Sequence, residues 1–261
     1  MKALITGAGS GIGRDIAVLL SQMGYDIIAV GRRENRLLEL KKMLTTHVEV
    51  VVCDVSDIES CKSLARFAPE TDILVNNAGF GVFGDFLSND LDRELMMIDT
   101  NAKAMHILMK LFLRAWEGKN KGHILNVASA AAFFPGPLFA SYYASKSYIL
   151  RLSQAINEEL RRKHSHIKIS VLCPGPTKTE FGRVANVSFG NKDNGKGISL
   201  PSMEVAEAAV RGMFSGKEII TPGGIMKCAA ALRYILPDKI LARLVYDIQS
   251  KSCHRRDDEN A

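Results

Sequence analysis

The chain has 261 residues, 47% apolar and 24% charged, with a formal net charge of +6. These are ordinary values for a globular protein, and the length suits one large domain or two small ones around a sizeable core. No stretch of about 18 apolar residues occurs, which excludes a spanning helix; the five cysteines form no Cys-x-x-Cys pair, which argues against a disulfide framework or a zinc site.

In chain order, the pattern predicts a strand over 2–6, a helix over 11–23, a strand over 26–30 and a helix over 34–44. A strand over 48–53, a helix over 57–67, a strand over 73–76 and a long helix over 90–116 follow. The last predicted elements are a strand over 123–128, a helix over 141–162, a strand over 167–173, a helix over 202–214 and a strand over 218–221. Strands that alternate with helices imply parallel crossovers, and continuous Val/Ile/Leu strands suit a sheet covered on both faces. The expected fold is α/β: a doubly wound parallel sheet of about seven strands in one domain over 1–224. A C-terminal helical extension over 225–250 and a disordered tail over 251–261 complete it. The stretch 177–201 has little periodicity and reads as a lid or binding loop.

The chain opens on Ala3-Leu4-Ile5 after a single lysine, with no signal-peptide pattern, so a cytoplasmic location is expected. Positive charge concentrates between 103 and 168, where eleven Lys/Arg face three acidic residues. No nucleic-acid motif accompanies it, so a solvated basic surface or a phosphate-attracting site is the better reading. Cys53 and Cys173 lie in apolar runs and read as buried fillers. His164 and His166 read as a solvated helix end, and no metal site is expected.

The first strand runs into Thr6-Gly7-Ala8-Gly9-Ser10-Gly11-Ile12-Gly13. Glycines 7, 11 and 13 allow a tight turn and close approach to a pyrophosphate, and the helix beginning near Gly11 turns its amides and positive dipole end toward the anion. The strand before and the helix after supply the context that this glycine pattern needs. The second strand ends Gly31-Arg32-Arg33, where a site for NAD usually places an Asp or Glu for the ribose hydroxyls. Guanidinium groups pair well with phosphate, so NADP(H), with its 2′-phosphate, is the expected cofactor. Arg32 is the first choice for that contact, with Arg33 the alternative and Arg14 a helper.

Further on, Tyr142 and Lys146 stand four apart and share a helix face. A phenol ionises near pH ~10. A neighbouring ammonium is expected to lower that value and make the tyrosine a usable acid or base. Ser129 can reach the same pocket from a strand end. Adjacent helix residues point about 100° apart, so Tyr143, without a lysine at i+4, is expected to pack elsewhere.

Taken with Asp54-Val55, Asn76-Asn77-Ala78-Gly79, Asn101 and Pro174-Gly175, these pieces come in the order of a known family. The chain resembles the short-chain dehydrogenase/reductase family over about residues 2 to 224. The run Pro174-Gly-Pro-Thr-Lys-Thr-Glu-Phe181 resembles an NADP-dependent branch with poorly defined substrates. The resemblance implies a catalytic set of Asn101, Ser129, Tyr142 and Lys146, with Asn101 holding a water linked to Lys146. It implies that Asp54 and Val55 meet the adenine, and that Asn77, Ala78 and Gly79 line the cofactor beside the strand-stabilising Asn76. Lys146 would bind the nicotinamide ribose, Pro174, Gly175 and Thr177 would flank the nicotinamide, and Thr179 would bind its carboxamide. The implied activity is reduction of an aldehyde, ketone or acyl-type carbonyl by hydride transfer; the alternative is a regulator that binds NADP(H) without turnover. A homodimer or homotetramer is implied through helices 90–116 and 141–162, the other reading being a purely intramolecular face.

Phe133, Phe134, Pro135, Pro137 and Leu138, with Phe181, Val184 and Phe189, suggest apolar walls and a hydrophobic substrate. The stretch 225–249 can cap that pocket, pack on a neighbour or lie on a membrane surface.

Overall fold

The computed structural model describes residues 1–185, 199–232 and 235–257. Strands β1 (Lys2–Thr6), β2 (Asp26–Gly31), β3 (Val48–Val52), β4 (Ile73–Asn76), β5 (His123–Val127) and β6 (Lys168–Leu172) are joined by helical crossovers. A two-residue pair, β7 (Thr177–Lys178) with β8 (Leu200–Pro201), stands apart, and β9 (Ile219–Ile220) closes the main sheet. The sheet order is β3-β2-β1-β4-β5-β6-β9, parallel throughout, as expected. From β1 the chain winds outward through β2 and β3, then returns to place β4 on the other side of β1. That reversal opens a crevice at the carboxyl ends of β1 and β4, the position where open α/β sheets bind ligands.

Each face of the sheet is covered because each strand carries β-branched and leucine residues on both sides. Helices α1 (Gly11–Gln22) and α2 (Glu34–Met43) cover one face, joined there by a later helix at 202–214. There Ile16, Leu20, Leu37, Val205 and Met213 pack on Ile5, Ile27 and Val75. The short α3 (Ile58–Ser63) and the longer helices that follow cover the other face. Asp57 caps α3 by accepting from Ser60 N at 2.7 Å. The segment expected as one helix over 57–67 tightens instead into a 3₁₀ turn at Leu64–Glu70, which contains Pro69, a residue without an N–H for an α-helical ladder.

The expected long helix over 90–116 is also interrupted. It comprises α4 (Leu91–Ile98), a π-helical turn at Asp99–Lys103 and α5 (Ala104–Trp116). Such widened turns recur at functional sites, and this one turns Asn101 fully inward. The second half of the chain holds α6 (Ala140–Arg162), a short α7 (Phe181–Val184), α8 (Ser202–Phe214), α9 (Gly224–Leu232) and α10 (Asp238–Asp257). α10 carries into the segment expected as a tail, and 258–261 lie outside the described residues. Cys53 and Cys173 are buried, as expected. Among the described residues no helix is long and apolar enough to cross a membrane.

α6 is fixed to β5 by a buried polar chain. Asn76 Nδ2 donates to Asn126 Oδ1 (2.9 Å), Asn126 Nδ2 donates to Ser153 Oγ (2.9 Å), and Ser153 Oγ donates to Ile149 O (2.7 Å). Removing the middle member strands polar groups that have no access to water. Asn126→Ala is expected to cost roughly 2–3 kcal/mol of unfolding free energy. Urea denaturation measures this directly; a cost below about 0.5 kcal/mol would show that the chain does not fasten α6.

Candidate active site

A cavity of about 720 Å³ runs along the carboxyl ends of β1 to β6. Its floor at β1 is the glycine turn. Gly7 (φ +66°) and Gly11 (φ +54°) occupy left-handed conformations that favour glycine. The reason for glycine at 7 and 13 is visible in Asn77, whose Nδ2 donates to Thr6 O (3.0 Å) and Gly7 O (3.2 Å). A Cβ at Gly13 would lie 2.3 Å from that nitrogen and 2.6 Å from Gly7 O; one at Gly7 would lie 2.7 Å from it. Thr6 Oγ1 accepts from the backbone N–H groups of Asn77 (3.0 Å) and Ala78 (3.1 Å). Thr6 and Gly13 therefore stand behind the cavity wall and hold it, whereas Gly7, Gly9, Ser10, Gly11 and Ile12 form it.

The first turn of α1 has no side-chain cap and no acidic residue, so its orphan amides face the cavity's glycine edge. Arg32, Arg33, Asp54 and Val55 line the same end. Arg32 lies 3.7 Å from Asp54 Oδ2, and Asp54 Oδ1 accepts from Ser56 N and Oγ. Arg33 donates to Ser10 Oγ at 3.2 Å. Uncapped amides, a turn that side chains would fill and guanidinium groups beyond it fit the pyrophosphate and ribose of a dinucleotide. Arg14 reaches Asp15 instead, at 3.5 Å.

At the other end, Ser129, Tyr142 and Lys146 meet in the wall. Ser129 begins a 3₁₀ turn at Ala130–Phe133; its Oγ accepts from Ala131 N (3.1 Å) and acts on the Tyr142 phenol beside it. The Tyr142 ring is held by Phe139, stacked with centroids 4.4 Å apart, and by Phe181 at 5.4 Å. Lys146 is 3% exposed; its Nζ donates to Val127 O at 3.0 Å and lies 5.8 Å from the Tyr142 ring centre. Asn101 does not line the cavity. It clamps Phe80, donating from Nδ2 to Phe80 O (2.8 Å) and accepting at Oδ1 from Phe80 N (3.0 Å), and Nδ2 also meets Ser145 Oγ at 3.3 Å. Gly79 separates the pair: a Cβ there would lie 2.8 Å from Asn101 Oδ1 and 3.3 Å from Lys146 Nζ.

Burial reverses one expectation. It pushes the Tyr142 phenol well above its ordinary range, the Ser129 hydrogen bond pulling only partly the other way. The same dryness pushes Lys146 down to about 8. Desolvation dominates, so the free protein holds Tyr142 as a neutral acid.

Tyr143 departs from expectation too. Its ring lies against Gly136, where a Cβ would fall 2.1 Å from the ring, and it reaches the same cavity. Its hydroxyl accepts from Gln249 Nε2 at 2.8 Å. The cavity wraps around the start of α6, so a 100° step along the helix does not leave it. Phe134, Phe181 and Val184 line the cavity as expected; Phe133 is packed with Ile149 and Leu150, and Phe189 lies outside the described residues.

After β6, Pro174, Gly175, Thr177 and Thr179 complete the wall. A Cβ at Gly175 would lie 2.7 Å from Met226 Cγ, so α9 rests directly on that turn. The extension closes the cavity with Met226 of α9 and Leu241, Leu244, Val245, Ile248 and Gln249 of α10. The spacing of Leu241, Leu244, Val245 and Ile248 by three and four residues was legible as one helix face. Gln249 and Glu180 carried no such signal, since a polar residue on a helix or loop is ordinarily solvated.

A doubly wound parallel sheet with this glycine turn and a half-buried serine beside a buried tyrosine and lysine defines a nucleotide-binding oxidoreductase. The sequence model of the short chain dehydrogenase family matches residues 1–187, and the chain belongs to that family. It is 33% identical over 212 residues to an uncharacterized oxidoreductase of Staphylococcus epidermidis, covering 80% of this chain and 88% of the relative. It is 32% identical over 184 residues to a 3-oxoacyl-[acyl-carrier-protein] reductase of Rickettsia conorii, covering 69% and 73%. Among solved structures it resembles a short-chain dehydrogenase from Sphingobium yanoikuyae in complex with NADPH, with a TM-score of 0.79, 26% identity and coverage of 90% and 92%.

Lys146 joins no ion pair among the described residues. A buried lysine whose pKa falls to about 8 burdens the folded state at neutral pH. That burden is full below about pH 8 and lifts as pH climbs toward the unfolded value, because the folded chain sheds its proton first. Lys146→Met is therefore expected to stabilise the fold at pH 7, on the order of 1–3 kcal/mol, with a gain that shrinks above pH 8. Thermal unfolding across pH checks this; a pH-independent loss of stability would contradict it.

Proposed function

We propose that this protein reduces an apolar carbonyl compound to an alcohol with NADPH. The observation that carries the reading is that Ser129, Tyr142 and Lys146 stand together in the wall of the same cavity that the glycine turn floors. Bound there, the dinucleotide supplies the hydride. Tyr142, a neutral phenol by burial, gives its proton to the carbonyl oxygen as negative charge grows on it. Ser129 Oγ holds the same oxygen, a donor fixed in place beforehand by the turn it begins. Lys146 keeps positive charge near the developing tyrosinate, and Asn101 fixes Phe80 and, through it, the strand end beside Gly79. Run backward, the set oxidises an alcohol, which requires Tyr142 to lose its proton first and so favours high pH.

Two observations support NADP(H) over NAD: Arg32 and Arg33 directly follow β2 in the cavity wall, and no carboxylate stands at the end of that strand. The NADPH complex of the Sphingobium yanoikuyae protein agrees. The acyl-type carbonyl of the Rickettsia conorii reductase is one candidate substrate class. The walls from Phe134, Phe181, Leu244 and Ile248 favour an apolar chain or ring system. A regulator without turnover gains no support from this cluster, since nothing in binding alone requires a buried acid beside a buried lysine. A cytoplasmic location belongs to the same reading.

The test is consumption of NADPH with a panel of apolar aldehydes and ketones. Tyr142→Phe is expected to lower the rate roughly 10²–10⁴-fold at unchanged NADPH affinity, while Tyr143→Phe keeps most of it. Equal activity of Tyr142→Phe and wild type would remove the mechanism.

Leu91, Leu95, Met96, Ile98 and Tyr148 are exposed on α4 and α6 beside a groove formed with α5. Pairing of two copies through this face is part of the reading. Sedimentation is expected to show a dimer or tetramer at micromolar concentration; a concentration-independent monomer would reject it.

A further inference from the structure

Glu180 stands in the cavity wall at the end that holds Ser10, Arg32 and Arg33. Its carboxylate meets three guanidinium groups. Oε2 accepts from Arg33 Nη2 at 2.8 Å, and Oε1 lies 3.5 Å from Arg36 Nη2 and 3.6 Å from Arg183 Nη2. Arg33, foremost among these, holds the carboxyl below its usual range, so it is charged throughout neutral pH.

The carboxylate is delivered by a built segment. Thr179, next to it, fills the space above Gly11, where a Cβ would lie 3.0 Å from Thr179 Cγ2. Glu180 O accepts from Val184 N (3.1 Å), and Val184 O in turn accepts from Arg93 Nη2 (2.9 Å). Ala185 O accepts from Phe83 N at 3.3 Å. Closing on Arg33 therefore spans 147 positions of sequence and draws the start of α7 across the glycine turn.

Arg33 is one of the two groups able to take a ribose 2′-phosphate, and the other, Arg32, already faces Asp54. A carboxylate 2.8 Å from Arg33 occupies a position that a phosphate oxygen would take. We propose that Glu180 is a cofactor-specificity residue, competing with the 2′-phosphate for Arg33 and tying that choice to Phe181 and Val184 in the substrate wall. This rests on the dinucleotide reading of the cavity, not on which dinucleotide is preferred. NAD leaves the Glu180–Arg33 pair intact; NADP has to part it. Both partners are partly exposed, so solvent and salt screen the competition and its size is modest.

The experiment is calorimetric binding of NADP⁺ and NAD⁺ to the wild-type chain, Glu180→Gln, Arg33→Ala and the double variant, at low and high salt. Glu180→Gln is expected to tighten NADP⁺ roughly three- to tenfold while moving NAD⁺ by less than about twofold. The gain should vanish in the Arg33→Ala background and shrink in high salt. An equal change for both dinucleotides, weaker NADP⁺ binding, or a gain that survives without Arg33 would overturn the proposal. A wild-type chain that prefers NAD⁺ defeats the NADP preference alone; a Glu180→Gln shift toward NADP⁺ would then still support the competition. Binding of neither dinucleotide would sink both.

Discussion

The hydrogen bond from Lys146 Nζ to Val127 O sets the geometry of the site. An ammonium buried this far has lost its water and must find acceptors in the protein. It finds the last carbonyl of β5, and α6 is thereby locked in rotation and height against the end of that strand. A second rung, Asn126 to Ser153, runs below it, and Ser129 and Tyr142 face each other above. Residues 126, 127 and 129 ascend the strand end as 153, 146 and 142 descend the helix, in steps of two turns and one turn. Tyr142 reaches Ser129 because Lys146 and Ser153 have already fixed the helix that carries it.

The same dryness that makes the bond necessary sets the acid–base state of the pair. Burial disfavours charge on both groups, so the phenol moves up and the ammonium moves down to about 8. The tyrosine is kept as an acid at rest, which suits proton donation to a reduced carbonyl better than abstraction from an alcohol. Lys146 gives up stability to stand there, a common trade at functional sites.

Much of this was legible in the sequence. The strand and helix alternation yields the seven-stranded parallel sheet, and the Tyr-x-x-x-Lys spacing yields two side chains on one face of α6. What eluded it depended on contacts between distant segments. The break at Asp99–Lys103 has no proline or glycine to announce it; its outcome is visible only once Asn101 clamps Phe80. Gly13 reads as a phosphate glycine, yet its nearest neighbours are Asn77 and Gly7 O. The sign of the Tyr142 shift could not be read, because an ammonium four residues away is evident in a sequence and the depth of burial is not. Tyr143 enters the cavity because Gly136, seven positions earlier, leaves room for its ring. The glycine-turn end of the cavity lies within the region matched to the family, while α9 and α10, beyond it, supply Met226, Leu244, Ile248 and Gln249 to the wall. On the proposed reading, substrate choice accordingly rests on the part of the chain about which family membership says least.

The most direct check of the buried acid is titration of Tyr142 itself. Tyrosine labelled at the phenol carbon, followed by NMR in the free protein and assigned with Tyr142→Phe, reports its ionisation. A resonance that stays in the neutral position beyond the pH at which free tyrosine ionises is the predicted result. A phenol that ionises near neutrality in the free protein would contradict the account, for it would mean that the ammonium, and not burial, governs the site.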